Sequence, residues 1–293
     1  MLNLYSPTKD NTFVVIVTFN PDGRLLESII ALDQIFNNII VVDNSSSSDI
    51  KKFINNDRIT VIKNEINYGI GKALNIGADY SLLKGAKWML MMDQDTIPIS
   101  DLLLIYSSIY LSYPKKELIG QIGISYYEKK SKELEYFIVT ALITSGSLLS
   151  LDAYKVAGSF RSDFFIDSVD FEYSLRLRKN GFVNLLSREI AINHRLGNHK
   201  EKKYFFLTVR STNHPPLRRY YMARNHIILT FQYILSFPFW IIKKNYFFLK
   251  SIFEIILVDD HKLAKIKKTL AGLKDGIFYV IIRRSSNSRT SLL

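Results

Sequence analysis

The sequence predicts an α/β protein built on a mainly parallel sheet, with a basic and aromatic helical third at the C-terminal end. Three observations carry this. Short apolar runs of strand length alternate with segments of helical spacing through the first hundred residues. The runs are apolar throughout rather than alternating, as in strands covered on both faces. The positive charge is confined to one end: from Lys200 to Leu293 there are 18 Lys and Arg against 5 Asp and Glu, while the preceding 199 residues carry 21 against 22.

FVVIVTF (Phe13–Phe19), NIIVVDN (Asn38–Asn44), ITVIKN (Ile59–Asn64) and WMLMMDQD (Trp88–Asp95) are the expected buried strands. LLESIIALDQIF and IGKALNIGADYSLL lie between them with apolar residues at helical spacing. That βαβα order implies right-handed crossovers and a parallel sheet. After Pro98 a helix is expected at Leu102–Leu111. IGQIGISYYE and ELEYFIVTAL, separated by KKSK, read as an antiparallel pair, and SGSLLSL as a further strand. DFFIDSVDFEYSLRLRKNG has a loop-like start, a helical body and a stop at Gly181, and VNLLSREIAINHRLGN is then a strand ending near His194. Basic, aromatic amphipathic helices are expected beyond Lys200. The organisation is therefore a catalytic-type domain over 1–200, with halves at about 1–97 and 98–200, and a helical region over 201–293 with a disordered tail from about 285. There are no internal repeats.

The 293 residues contain no cysteine, which excludes disulfides and cysteine-based metal or nucleophile chemistry and suits a reducing cytosol. The N-terminus MLNLYSPTKDN has neither the basic start nor the apolar run of a signal peptide. The apolar stretch Ile227–Val258 is interrupted by Gln232, Ser236, Pro238 and the Lys243–Lys244 pair, whereas a spanning helix needs roughly 20 mostly apolar residues. It reads as interfacial helices. Lys243, Lys244, Lys250 and LAKIKKTLAGLK, interleaved with Phe237, Phe239, Trp240, Tyr246, Phe247 and Phe248, suit an anionic membrane surface. Packing within a homo-oligomer is the competing role. Nucleic acid is not expected as a partner, because the basic excess sits in one apolar appendage rather than across the folded domain.

The strands end in a consistently polar way: Thr18-Phe19-Asn20, Asp43-Asn44-Ser45, Asn64 and Asp93-Gln94-Asp95. In parallel sheets ligands bind beyond the carboxyl ends of strands, so four such endings on one rim point to a cleft. Asp93 and Asp95, one residue apart where a buried strand emerges, suit a hard divalent cation; a helix-capping role is the plain alternative. Asp167, Asp170 and Glu172 crowd a helix start, where acids are ordinary dipole partners, yet a carboxylate beside Phe164-Phe165-Ile166 can also act as a general base. His194 ends a strand ahead of Arg195 and Gly197. Gly69-Ile70-Gly71 lacks the third glycine of a dinucleotide site, and there is no phosphate-loop lysine motif or zinc-protease H-E-x-x-H.

VVIVTFNPD, VVDNSS, NEINYGIGKALNIG, DQD and DSVDFEYSLRLRKNGF together resemble the family 2 glycosyltransferases, closest to the bacterial rhamnosyltransferases of surface polysaccharide (O-antigen) assembly. The resemblance runs from Phe13 to Gly197, with a weaker echo in RRYYMARNHIIL. It implies a GT-A-type nucleotide-diphospho-sugar transferase fold and an inverting, metal-dependent hexosyl transfer. Asp93, Asp95 and His194 would hold Mn²⁺ or Mg²⁺, and Asp170 would be the catalytic base. Val169 stands where the family commonly has Glu. Thr18, Phe19, Asn20, Asp43, Asn44, Asn67, Gly71, Lys72, Asn75 and Gln94 would frame the nucleotide sugar, with Ser145, Gly146, Asp167 and Glu172 toward the acceptor. The implied donor is dTDP-L-rhamnose, with UDP-hexoses or UDP-galactofuranose as alternatives. The implied acceptor is a polyprenyl-diphosphate-linked saccharide, at the cytoplasmic face of the plasma membrane, with the enzyme bound peripherally. A sugar nucleotidyltransferase of the same fold ranks lower, because TFNPDGR lacks the glycine-rich, arginine-containing first loop. A non-catalytic basic binding protein ranks lowest.

Overall fold

The computed structural model describes residues 5–46, 50, 56–126, 136–194, 200–204 and 207–290; Arg195 and Gly197 fall outside them. The chain forms two compact units: Met1–Phe165 with Val169–Arg195, and Ile166–Ser168 with Leu196–Leu293. The main segment of the second begins four residues before Lys200, and the unit also takes three residues from the middle of the chain.

In the first unit the elements are β1 (Thr12–Thr18), α1 (Arg24–Asp33), β2 (Asn38–Asp43), β3 (Ile59–Lys63), α2 (Gly69–Leu83), β4 (Trp88–Asp93), β5 (Thr96–Pro98), α3 (Leu102–Ser112), β6 (Ile119–Ser125), β7 (Tyr136–Val139), β8 (Ser147–Ser150), α4 (Leu151–Ala157), α5 (Val169–Lys179), β9 (Val183–Ile190) and β10 (Ile192–His194). Eight strands make one sheet in the order β3-β2-β1-β4-β8-β6-β9-β7. β1 to β4 are parallel, as the buried runs predict, and Val14, Val15 and Ile16 are fully buried between helical layers. Each such side chain contributes about 1.5–3 kcal/mol by leaving water. Register sets the functional rim: Thr18 stands level with Asp43, Val17 with Asp93, and Asp43 with Lys63.

Three expectations for this unit are corrected. β6 and β7 do not pair with each other; β9 lies between them, parallel to β6 and antiparallel to β7. Their apolar patterns are equally satisfied by a non-local partner, which sequence spacing does not encode. The single strand expected up to His194 breaks at Ala191 into β9 and β10. DQD does not extend β4 but turns into β5, which pairs antiparallel with β10.

The second unit contains β11 (Lys200–Tyr204), β12 (Leu207–Ser211), α6 (Pro216–Tyr233), α7 (Pro238–Leu257) and α8 (Lys262–Thr290). The hairpin of β11 and β12 replaces the helix expected directly after Lys200: its charged residues face solvent and the β-branched Thr208 and Val209 favour strand. α8 runs to Thr290 and so covers most of the stretch expected as a loose tail; extending a helix already formed costs far less than starting one. α6 and α8 approach backbone to backbone, since a Cβ on Gly272 would lie 2.2 Å from the Tyr220 carbonyl oxygen and one on Gly276 2.7 Å from that of Arg224. Among the described residues no helix is long and apolar enough to cross a membrane.

This unit also buries charge. Asp259 lies between Lys265 at 2.8 Å and Arg219 at 3.3 Å, all three side chains at most 3% exposed. Burial pushes its carboxyl up, but hydrogen bonds from Lys265 and Ser211 and the Arg219 charge outweigh that and hold it below its ordinary value. Burial, helped by Arg218 and Arg219, pushes His214 down to about 3. His226, stacked on Phe248, is pushed down to about 4, again chiefly by burial.

Candidate functional site

The rim at the carboxyl ends of β1, β2 and β4 is polar and largely buried. Asp43 is 1% exposed. Its Oδ1 accepts from the Thr18 hydroxyl (3.0 Å), the Ser45 amide (3.0 Å) and the Ser45 hydroxyl (2.6 Å). The Asn20 N–H, on a residue with φ of +46°, donates to the same Ser45 oxygen at 2.6 Å. These bonds fix the first turn over the second strand and hold a carboxylate in place at the base of the rim. Asn44 donates to the Gly69 carbonyl at 3.3 Å and accepts from Asn64 at 2.8 Å, tying the ends of β2 and β3 to the start of α2. Gln94 clasps the Phe19 backbone in both directions, accepting from its N–H at 2.7 Å and donating to its carbonyl at 3.3 Å. Phe19 itself is half exposed, its ring available for stacking.

Asp93 and Asp95 follow at the end of β4. Ser145 supports them: its hydroxyl accepts from the Asp93 N–H at 2.9 Å and donates to Thr96 Oγ1 at 2.8 Å. The Ser145 carbonyl accepts from the Tyr126 hydroxyl at 2.7 Å. Burial pushes the Tyr126 phenol up; Asp93 adds to that, the Ser145 hydrogen bond opposes it, and Asp170 and Asp95 push it further up. The two strand-end acids and the acid of α5 all act electrostatically on this one phenol. Tyr126, bonded to the expected site residue Ser145, is a candidate that the sequence reading missed. The available signal was a hydroxyl-bearing aromatic at the end of a buried strand, on the same rim as the acids.

Asp170 sits in the first turn of α5, where its Oδ1 accepts from the Phe171 N–H at 2.8 Å. The backbone of His194 pairs with Thr96, one residue beyond Asp95. Its side chain lies outside the described residues. Among the described residues no three acid or histidine side chains form a ready-made metal cluster. The donor set still fits a divalent cation: two carboxylates one residue apart provide hard oxygens, and the β5–β10 register brings an imidazole-bearing position beside them.

Other expected residues have structural partners. Asn67 Oδ1 accepts from the Gly69 N–H at 2.9 Å and makes a turn. Gly69 and Gly71 permit close approach of backbone: a Cβ on either would lie 2.4 Å from the carbonyl oxygen of Phe165 or Arg161. The Asn75 amide brackets the Phe160 peptide, donating to its carbonyl at 2.9 Å and accepting its N–H at 2.7 Å. Thus α2 positions the 160–165 segment that leads toward Asp170, and Lys72 is exposed at the helix start. Glu172, 1% exposed, is chelated by Arg176, which also holds the Ala157 and Ser159 carbonyls. It locks α5 rather than facing solvent. Gly146, at φ of +74°, accepts from the Tyr106 hydroxyl at 2.9 Å and supports the same strand end as Ser145. Asp167 is held by Arg218, within the second unit.

The comparisons with known proteins identify the family and the fold. A family model described as Glycosyl transferase family 2 matches residues 13–139. The dTDP-rhamnosyl transferase RfbF of Shigella flexneri is 30% identical over 291 residues, covering 91% of this chain and 95% of that protein. Among solved structures, GalNAc-T7 with UDP, GalNAc and Mn²⁺ superimposes with a TM-score of 0.58 at 13% identity, over 78% of this chain and 48% of that one, so this chain spans about half its length. S. aureus TarS 1-349 in complex with UDP gives 0.51 at 14% identity, over 88% and 69%. At these identities the two structures establish the fold.

Proposed function

Since the chain belongs to the family 2 glycosyltransferases and has their GT-A fold, we propose that this glycosyltransferase moves L-rhamnose from dTDP-L-rhamnose to a saccharide hydroxyl with inversion. What supports the mechanism most is the register that ends β4 at Asp93 and pairs Thr96 with His194, which brings the expected metal-holding positions to one strand end, with Asp170 in the first turn of α5. What supports the donor is the likeness to RfbF across nearly the whole chain.

Asp43, Thr18, Asn20 and Asn44 receive the nucleoside, with the Asp43 carboxylate accepting from the thymine imide N–H and Phe19 beside the base. Asp93, Asp95 and His194 would hold the divalent cation, Mn²⁺ or Mg²⁺, whose charge would offset that developing on the departing diphosphate. Asp170 accepts the proton of the acceptor hydroxyl while its oxygen bonds to the anomeric carbon and the bond from that carbon to the diphosphate oxygen breaks. One displacement from the opposite face inverts the configuration. The direct test is nucleotide release from a panel of dTDP- and UDP-sugars with Mn²⁺ or Mg²⁺. dTDP-L-rhamnose should be turned over fastest, and EDTA should abolish the activity until metal is restored. Preference for a UDP-hexose or UDP-galactofuranose would overturn the rhamnose assignment alone, and full turnover in EDTA would overturn the metal assignment.

The acceptor in this reading is polyprenyl-diphosphate-linked, which sets the enzyme at the cytoplasmic face of the plasma membrane as a peripheral protein. The second unit supports that. α7 exposes Phe239 (88%), Ile242, Tyr246 and Phe253, with Lys243 and Lys250 at the same helical spacing; α8 repeats the pattern with Leu263 (80%), Lys267, Leu270, Lys274 and Ile277. Apolar residues flanked by lysines match an anionic lipid surface. A second copy of the same cationic faces would repel instead. Full-length protein should sediment with anionic liposomes and much less with neutral ones. Lys243→Gln/Lys244→Gln/Lys250→Gln should weaken that binding at low salt, each lysine contributing about 1 kcal/mol. Unchanged binding, or a dimer that buries these residues, would remove the electrostatic anchor.

A further inference from the structure

The segment between Phe165 and α5 is held in a backbone conformation that its own sequence does not favour. Phe165, Asp167 and Ser168 have φ of +59°, +64° and +61°, three left-handed residues within four positions and no glycine among them. Such conformations persist only where their surroundings enforce them, and they concentrate at functional sites. Here the enforcement is visible. The Phe165 carbonyl accepts from the Ile70 N–H at 2.7 Å. Beyond it, Arg218 of α6 grips Asp167 as a fork: Nε lies 3.0 and 3.2 Å from the two carboxylate oxygens and Nη2 lies 3.0 Å from Oδ1. Seven residues along α6, two helical turns, the buried Asn225 donates from Nδ2 to the carbonyls of Ile166 and Asp167, both at 2.9 Å. Arg218 and Asn225 thus lie on one face of α6 and hold the Asp167 side chain together with the backbone carbonyls of Ile166 and Asp167.

We infer that Arg218 and Asn225 are positioning residues for the transfer reaction: they fix the trajectory of the chain three residues before Asp170 and so set where its carboxylate meets the acceptor hydroxyl. This rests on the reading of Asp170 as the base. The Arg218 side chain is 38% exposed and that of Asp167 17%, so the pair contributes little to overall stability. Its geometric content is larger, because a guanidinium fork fixes direction as well as distance, which an ammonium does not. Displacing a reacting group by about 1 Å costs on the order of 10²-fold in rate.

The test uses full-length enzyme with dTDP-L-rhamnose, or whichever nucleotide sugar the panel selects, and Mn²⁺. Arg218→Ala and Asn225→Ala should each lower kcat by about 10–100-fold, leaving the donor KM and nucleotide binding near those of the wild type. Arg218→Lys should recover only part of the rate. Arg218→Ala placed on Asp170→Asn should cost nothing further, because the clamp acts only through that carboxylate. If Arg218→Ala does not fold, Arg218→Lys, alone and on Asp170→Asn, carries the same comparison. Wild-type kcat in the folded Arg218 variants would overturn the inference. So would an equal loss on the Asp170→Asn background, which would mark a general structural role. Wild-type turnover by Asp170→Asn itself would instead overturn the base assignment, which separates the two failures.

Discussion

Asp170→Asn should bind the nucleotide sugar as the wild type does and lose about 10²–10⁴-fold in transfer, the usual contribution of a general base. The substitution is nearly isosteric, and the amide oxygen can still accept the Phe171 N–H that Asp170 Oδ1 now accepts, so the helix start is preserved. What disappears is the ability to take the acceptor proton. The two neighbouring acids are poor substitutes: Asp167 is gripped by Arg218 and Glu172 by Arg176. Donor affinity by calorimetry and transfer by product analysis separate the two effects. Turnover within a few-fold of the wild type would show that another group accepts the proton.

Asp259→Ala should lower stability by about 3–5 kcal/mol, because removing the anion leaves Arg219 and Lys265 buried without their shared partner. For a protein of this size that corresponds to a fall in Tm on the order of 10 °C. Replacing all three residues by apolar ones of similar volume should cost much less, since the desolvation of the charges then disappears as well. The pH dependence follows from the shifts. Asp259 is depressed in the folded state, so its stabilisation is complete above the ordinary carboxylate value of about 3.9 and is lost as pH falls through the lower folded value. His214 and His226 are also depressed, so below about pH 6.5 the unfolded chain takes up protons first. They therefore reduce stability as pH falls, down to about 4 for His226 and about 3 for His214. Melting curves from pH 8 to 3 check both parts. Tm should decline from about pH 6.5 in both proteins, and the gap between the wild type and Asp259→Ala should stay constant until about pH 4 and then close. A gap unaffected by acid would show that Asp259 is not the charged partner.

The parallel half of the sheet was legible because β1 to β4 are apolar throughout and their polar ends coincide in register; Asp43 and Asp93 could be placed from pattern alone. The antiparallel half was not. Whether β7 pairs with β6 or β9 depends on contacts distant in sequence, and all three strands carry similar apolar runs. β5 spans three residues, too few for a period to register. Asn75 and Glu172 read as ligand contacts because polar residues on a helix look alike in sequence whether they face a substrate or a neighbouring group; their bonds to Phe160 and Arg176 show only in the fold. Arg218 and Asn225 lay in a motif echo whose purpose was invisible, because their partner Asp167 is 51 residues from Arg218 along the chain.

Because Ile166–Ser168 belong to the compact unit completed by Leu196–Leu293, the order of synthesis matters. Asp167 is translated 51 residues ahead of Arg218, an interval of roughly 3–10 s at ordinary elongation rates. During that interval the sheet and its nucleotide rim can already form, while the loop that aims the base has no clamp. On the proposed reading, a nascent or prematurely terminated chain would therefore hold the donor-binding rim without an aligned acid. On the same reading, transfer competence would arrive only with the stretch that also carries the lysine-flanked helices, so the enzyme would mature as it gains the means proposed for reaching the membrane.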